Sequence, residues 1–194
     1  MTQPSNRLFP LMIACHLRRL WECRAGTSGV EFALVLPILL VLLAGTADLG
    51  HALTVSRKVD EISSTTGDMI SQQGTWTKQD VAKLLSGVSF ILQPYSISEL
   101  RITLAIEDID STGAATVNWS AGFNTPPLAA GLKSEIVVPA KIQQKGVQVV
   151  VTHVEYTLTT PVSSLFAYFT GTNGYSFERS FFNRPRAADT IAYK

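Results

Sequence analysis

After residue 23 the chain has no cysteine at all. Its only two, Cys15 and Cys23, fall in a short basic segment ahead of a long apolar run. If that run crosses a membrane with its basic flank inside, both thiols stay on the reducing side and no disulfide is expected. The rest of the chain must then hold together by packing alone. No His or Cys follows at zinc-binding spacing, so a metal site built on these thiols is not expected.

Catalytic signatures are equally scarce. The three histidines are His16, His51 and His153: one in the leader, one just past the apolar run, one inside a β-branched stretch where a cross-strand or surface histidine is the ordinary reading. There is no G-x-S-x-G elbow, no H-E-x-x-H, and no glycine-rich turn of the kind that cradles phosphate. No enzyme activity, cofactor or small-molecule substrate is expected. Asp108-Ile109-Asp110-Ser111-Thr112-Gly113 imitates the first half of a calcium loop, but the twelfth position is Trp119, where a bidentate glutamate is required. It reads as a hairpin turn.

Positive charge is short too, and unevenly placed. Residues 1–26 carry Arg7, Arg18, Arg19 and Arg24 against Glu22, a balance of +3, which leaves −2 of the overall +1 for everything that follows. A mildly acidic domain offers nothing to nucleic acid. The basic crowd on one flank places the N-terminus in the cytoplasm and the C-terminal part outside.

What the chain does have is Phe32–Ala47, FALVLPILLVLLAGTA, sixteen residues without a charge, closed by Asp48. As helix this covers ~24 Å, and Gly29-Val30 with Leu49-Gly50 bring it near the ~30 Å of a bilayer core. No face is polar, so it reads as a membrane span. Glu31 stands at its mouth, where a carboxylate either snorkels to the headgroups or is kept for recognition or register. Pro37 removes a backbone donor, and a kink near Ala33–Pro37 is expected. Cleavage after Gly45-Thr46-Ala47 would make the run a secretory signal. The long basic segment and the length of the run favour a retained anchor.

Beyond it, His51–Gln73 continues as a helix with an apolar stripe at Val55, Val59, Ile62, Thr66, Met69 and Ile70, giving about 60 Å of helix with the anchor. Thr77 caps a second helix marked by Val81, Leu84, Leu85, Val88, Ile91 and Leu92, stopped by Pro94. From Glu99 the period changes to two, and strands are expected over Leu100–Ile106, Ala115–Trp119, Val147–Leu158 and Tyr175–Phe182. Ser120–Gly131 reads as loop, Ile136–Ile142 as a short helix, Val162–Tyr168 as a short helix or apolar lid, and Arg184-Pro185-Arg186 as the start of a polar tail. The expected fold is α+β: a transmembrane helix running into a long amphipathic helix, packed with a second helix on a roughly four-stranded antiparallel sheet.

Gly26, four residues, then Glu31-Phe32 and an apolar helix resembles the prepilin-peptidase site of type IV-type pilins, in particular the Flp/Tad branch. The run VEFALVLPILLVLLAGTADLG is similar to the opening of TadE-like (TadE/TadF/TadG) minor pseudopilins. Softer likenesses follow in order: SRKV, GDMISQQ, ILQPYSISEL, TVNWS, VEYTLTTP and NRPR. The D-x-S-x-S motif of the larger TadG-type adhesion domain does not occur. The resemblance implies a pilin-like fold and three parts: a cytoplasmic leader 1–26, a transmembrane helix 27–50 and a periplasmic domain 51–194. It implies cleavage after Gly26 by a prepilin peptidase, a new N-terminus at Thr27, and a pairing role for Glu31 beside the aromatic Phe32. The implied setting is the bacterial inner membrane or the pilus itself. The implied partners are that peptidase, other pilin or pseudopilin subunits, the Tad inner-membrane machinery and membrane lipid. A permanently anchored periplasmic binding module is the alternative.

Overall fold

The computed structural model describes residues 27–194 apart from 135, 141 and 172. Helix α1, Thr27–Ser71, carries Pro37 inside it and is not interrupted there. The chain divides after Ala47: the apolar part of α1 belongs to one unit and Asp48–Lys194 forms the other.

In the second unit the order is α1, β1 (Thr75–Trp76), α2 (Lys78–Ser89), a 3-10 turn at Phe90–Leu92, β2 (Arg101–Ile109), β3 (Ala115–Phe123), β4 (Gln148–Leu158), α3 (Pro161–Thr170), β5 (Tyr175–Asn183) and β6 (Ala192–Tyr193). Four strands make an antiparallel sheet in the order β3-β2-β4-β5. The fold is α+β, with a long N-terminal apolar helix and a four-stranded sheet, a pilin-like build.

The inner face of the sheet receives the helices. Val55, Val59, Ile62 and Ile70 of α1 and Val81, Leu84, Leu85 and Val88 of α2 pack on Ile102, Leu104, Ile106, Val150 and Val154. Two buried small residues let α1 sit close: Ser63 Oγ donates to the Thr152 carbonyl (3.3 Å), and a Cβ on Gly67 would meet Thr152 Oγ1 at 3.3 Å. Met69, placed on this stripe by its spacing, is instead exposed at 44%. α2 begins where Thr77 accepts from the Asp80 amide (3.2 Å), the cap its sequence announces.

α1 runs alongside β5. Asp48 meets Tyr175, Asp60 meets Arg179, and Gly67 meets Phe181 and Asn183. Nineteen residues of helix rise about 28 Å and eight of strand about 27 Å, so the contacts stay in step from end to end.

Several expectations change. β3 continues to Phe123, through residues that read as loop. Ile136–Ile142 holds no helix among its described residues; Pro139 cannot donate in a helix and pushes Val138 towards extended backbone. Val162–Tyr168 does form helix, within α3. The tail is not simply polar. Ile191 is buried, and β6 pairs in parallel with β1. Gln148 fixes it by accepting from the Ile191 amide (2.5 Å) while donating to Asp108 (2.8 Å), and Trp119 donates to the Ile191 carbonyl (2.9 Å) while stacking on Tyr193.

The outer face is covered at one end by the chain between β3 and β4. There Ala105, Ile109, Val149, Val151 and Val138 form a second small core. Glu107, which strand alternation places on the polar side, is fully buried against it.

Candidate functional site

The residues singled out for processing and assembly lie at the start of α1. Gly26 is outside the described residues. Thr27 opens the helix, and Glu31 follows four residues later, about one turn on and on the same face; both are exposed. Phe32 is exposed as well, and so is every large apolar side chain from Val30 to Leu43. The one hydroxyl near the end of the run, Thr46, turns back to the Leu42 carbonyl (2.5 Å) and so satisfies itself without water. A helix with apolar side chains on all sides, and its polar atoms bonded internally, is matched to lipid or to other helices rather than to water. It is long and apolar enough to cross a membrane.

Asp48 marks the change of surroundings. It is 4% exposed and accepts from the Tyr175 hydroxyl (2.8 Å). That hydrogen bond, with burial and the carboxylate charge, pushes the Tyr175 phenol above its ordinary range. Further along, Lys58 donates to the Ile91 carbonyl (2.8 Å), Arg179 pairs with Asp60 (2.6 Å) and reaches Ser56 (3.3 Å), and Arg186 pairs with Asp68 (2.7 Å). The two ion pairs are exposed and add little stability each; Asp60–Arg179 joins α1 to β5.

On the outer face, an open groove of about 800 Å³ lies between the sheet and the 125–137 segment. Its floor holds an arrangement that, among the described residues, imitates a catalytic triad. His153 Nδ1 lies 2.8 Å from Ser180 Oγ, and Nε2 lies 3.2 Å from Glu155 and 3.7 Å from Glu178. His153 and Ser180 are direct partners in the β4–β5 ladder, so the contact follows from strand register. A triad keeps its acid buried to steady the imidazole; the Glu155 side chain is 48% exposed and shared with Arg101 at 3.9 Å. The geometry is that of a cross-strand polar cluster, the expected placement for this histidine.

Asp110 likewise has a structural task. It accepts from the Thr112 amide (2.7 Å), the Thr112 hydroxyl (2.6 Å) and the Ala114 amide (2.9 Å), closing the β2–β3 turn. The Thr112 hydroxyl first, then the turn amides, hold its carboxyl below the usual range. Sequence alternation gave no sign of Glu107. One oxygen accepts from Ser134, the other has no hydrogen-bond partner among the described residues, and burial raises its pKa.

An α+β domain of pilin-like build following an apolar helix that fits a single-pass membrane protein thus defines the class. The family model described as TadE-like protein matches residues 26–66, which take in the proposed cleavage glycine, the apolar run and the first turns seated on the sheet. Neither the curated proteins nor the solved structures give a match. The match spans about a fifth of the chain and is a likeness to the TadE-like family over that stretch.

Proposed function

We propose that the chain is a minor pseudopilin, or pilus assembly protein, of a Tad (Flp-type) pilus, acting in adhesion or secretion-type pilus biogenesis. A prepilin peptidase removes residues 1–26 after Gly26. Residues 27–50 then span the inner membrane with the N-terminal end cytoplasmic, and residues 51–194 lie in the periplasm. The supporting observation is a helix with apolar exposed surface on every side and a single carboxylate, Glu31, one turn from Thr27. In a bundle of such helices an unpaired carboxylate is costly. The new amine of Thr27 on a neighbouring subunit is the natural counter-charge, and pairing would set register between subunits. Phe32 beside it would form part of the recognition surface for the peptidase.

Mass spectrometry of the mature N-terminus in pilus-producing cells tests this reading. Thr27 is expected. Gly26→Arg should retain the leader completely, visible as a slower gel band. Glu31→Ala should be processed normally yet reduce incorporation into pili or assembly complexes, measured by co-purification with pilin subunits. A mature N-terminus at Asp48 would mean a released domain and would remove the pilin role.

The outer groove favours one second reading, a permanently anchored periplasmic binding module. An intact leader in wild-type cells would select it.

A further inference from the structure

From Tyr156 to Phe177 the chain has no Asp, Glu, Lys or Arg. This stretch contains α3, whose sequence PVSSLFAYFT is largely apolar and aromatic. Two of its large side chains are strongly exposed, Leu165 at 72% and Tyr168 at 92%. Single exposed apolar residues are ordinary on a protein surface. Two of them one turn apart on an uncharged helix are a closer grouping, and the position of the helix in the domain bears on what could meet them.

α3 joins the end of β4 to the start of β5, where Leu158 pairs with Tyr175. Tyr175 is the residue that donates to Asp48, and Asp48 follows directly on the apolar run. The α3 connection therefore lies at the end of the sheet where α1 enters the domain. At that same end Leu49 and Leu53 of α1 are each 56% exposed. α3 also supplies its own terminal hydrogen bonds. Thr160 and Ser163 cap each other reciprocally (2.9 and 3.0 Å), Pro161 occupies the first turn where no donor is needed, and the Gly171 amide returns to the Ala167 carbonyl (2.9 Å). Gly171 can make that return because its φ of 71° is open to glycine.

We propose that α3 is a second membrane contact: an interfacial helix that rests on the lipid headgroups. The occupant is lipid because α3 lies at the end of its unit where Asp48 follows directly on the apolar run. Lipid also suits the chemistry, since an exposed tyrosine such as Tyr168, apolar at one end and polar at the other, is of the kind enriched at the headgroup boundary. The inference rests on the retained anchor of the proposed function.

The test uses the full chain with Cys15 and Cys23 replaced by serine. One cysteine is introduced by Leu165→Cys, or by Lys83→Cys on the exposed face of α2 as a control, and carries an environment-sensitive fluorophore. The protein is reconstituted in phosphatidylethanolamine–phosphatidylglycerol vesicles containing a lipid spin-labelled near the glycerol. The label at 165 should be blue-shifted and quenched severalfold more strongly than the label at 83, independently of protein density. Adding Tyr168→Glu should abolish the difference. Equal quenching at both sites overturns the proposal. So does a blue shift at 165 that grows with protein density without lipid quenching, since a second copy would then cover α3. A chain that alkaline carbonate strips from the vesicles overturns the anchor itself, and α3 seating with it; a chain that resists carbonate but shows no quenching at 165 overturns the α3 contact alone.

Discussion

α1 is one helix with two different surfaces. From Val30 to Leu43 its large side chains are exposed on every side, whereas from Asp48 to Ser71 it buries one narrow side and exposes charge on the others. Backbone hydrogen bonding is the same in both parts; the pattern of side chains alone decides what surrounds each. The first part has no preferred direction and can be covered only by a medium, or a bundle, that meets it all round. The second has a direction, set by Val55, Val59 and Ile62, and needs a single sheet.

Substitutions that exchange these environments give the sharpest tests. Ile62→Ala opens a cavity in the fully buried interface with the sheet and should cost about 2–5 kcal/mol, read by urea unfolding in detergent, while membrane retention is unchanged. Leu39→Arg, mid-run, should do the reverse. It should weaken insertion by ~2.5–3.5 kcal/mol, on the order of 100-fold, read as the carbonate-resistant fraction, and leave the domain folded. If Ile62→Ala released the protein from the membrane, or Leu39→Arg melted the domain, the two parts of α1 would not be independent.

The smallest effect concerns pH. Burial keeps the Glu107 carboxyl protonated to a higher pH in the folded state than in the unfolded chain. Its contribution to stability is thus complete below the ordinary glutamate range and is lost as pH rises through the folded-state value. Glu107→Gln keeps an acceptor for Ser134 and should flatten that fall, seen as thermal midpoints that converge with wild type at pH 4 and exceed it at pH 7.

Legibility in the sequence followed the same division. The apolar run, the Thr77 cap and the four strands were readable because each carries a repeating or local signal. Ser63 and Gly67 were not, because a tight helix–sheet contact selects small residues that have no hydrophobic signature. The burial of Glu107 was not legible because alternation groups it with Arg101 and Thr103, and here Leu128, Ile136, Val138 and Ile142 cover part of that face. The return of Ile191 and β6 to β1 is a long-range pairing of two residues, too short to announce itself. At the candidate site the spacing of Thr27 and Glu31 carries over directly to one turn of helix. Gly26 lies outside the described residues.

The alignment of α1 with β5 has a mechanical consequence. Tension applied at Asp48 along the helix axis loads the Tyr175, Asp60–Arg179 and Gly67 contacts simultaneously, in shear, and the load passes into β4 through Ser63. Contacts loaded together share a force that contacts unzipped singly would each bear in turn.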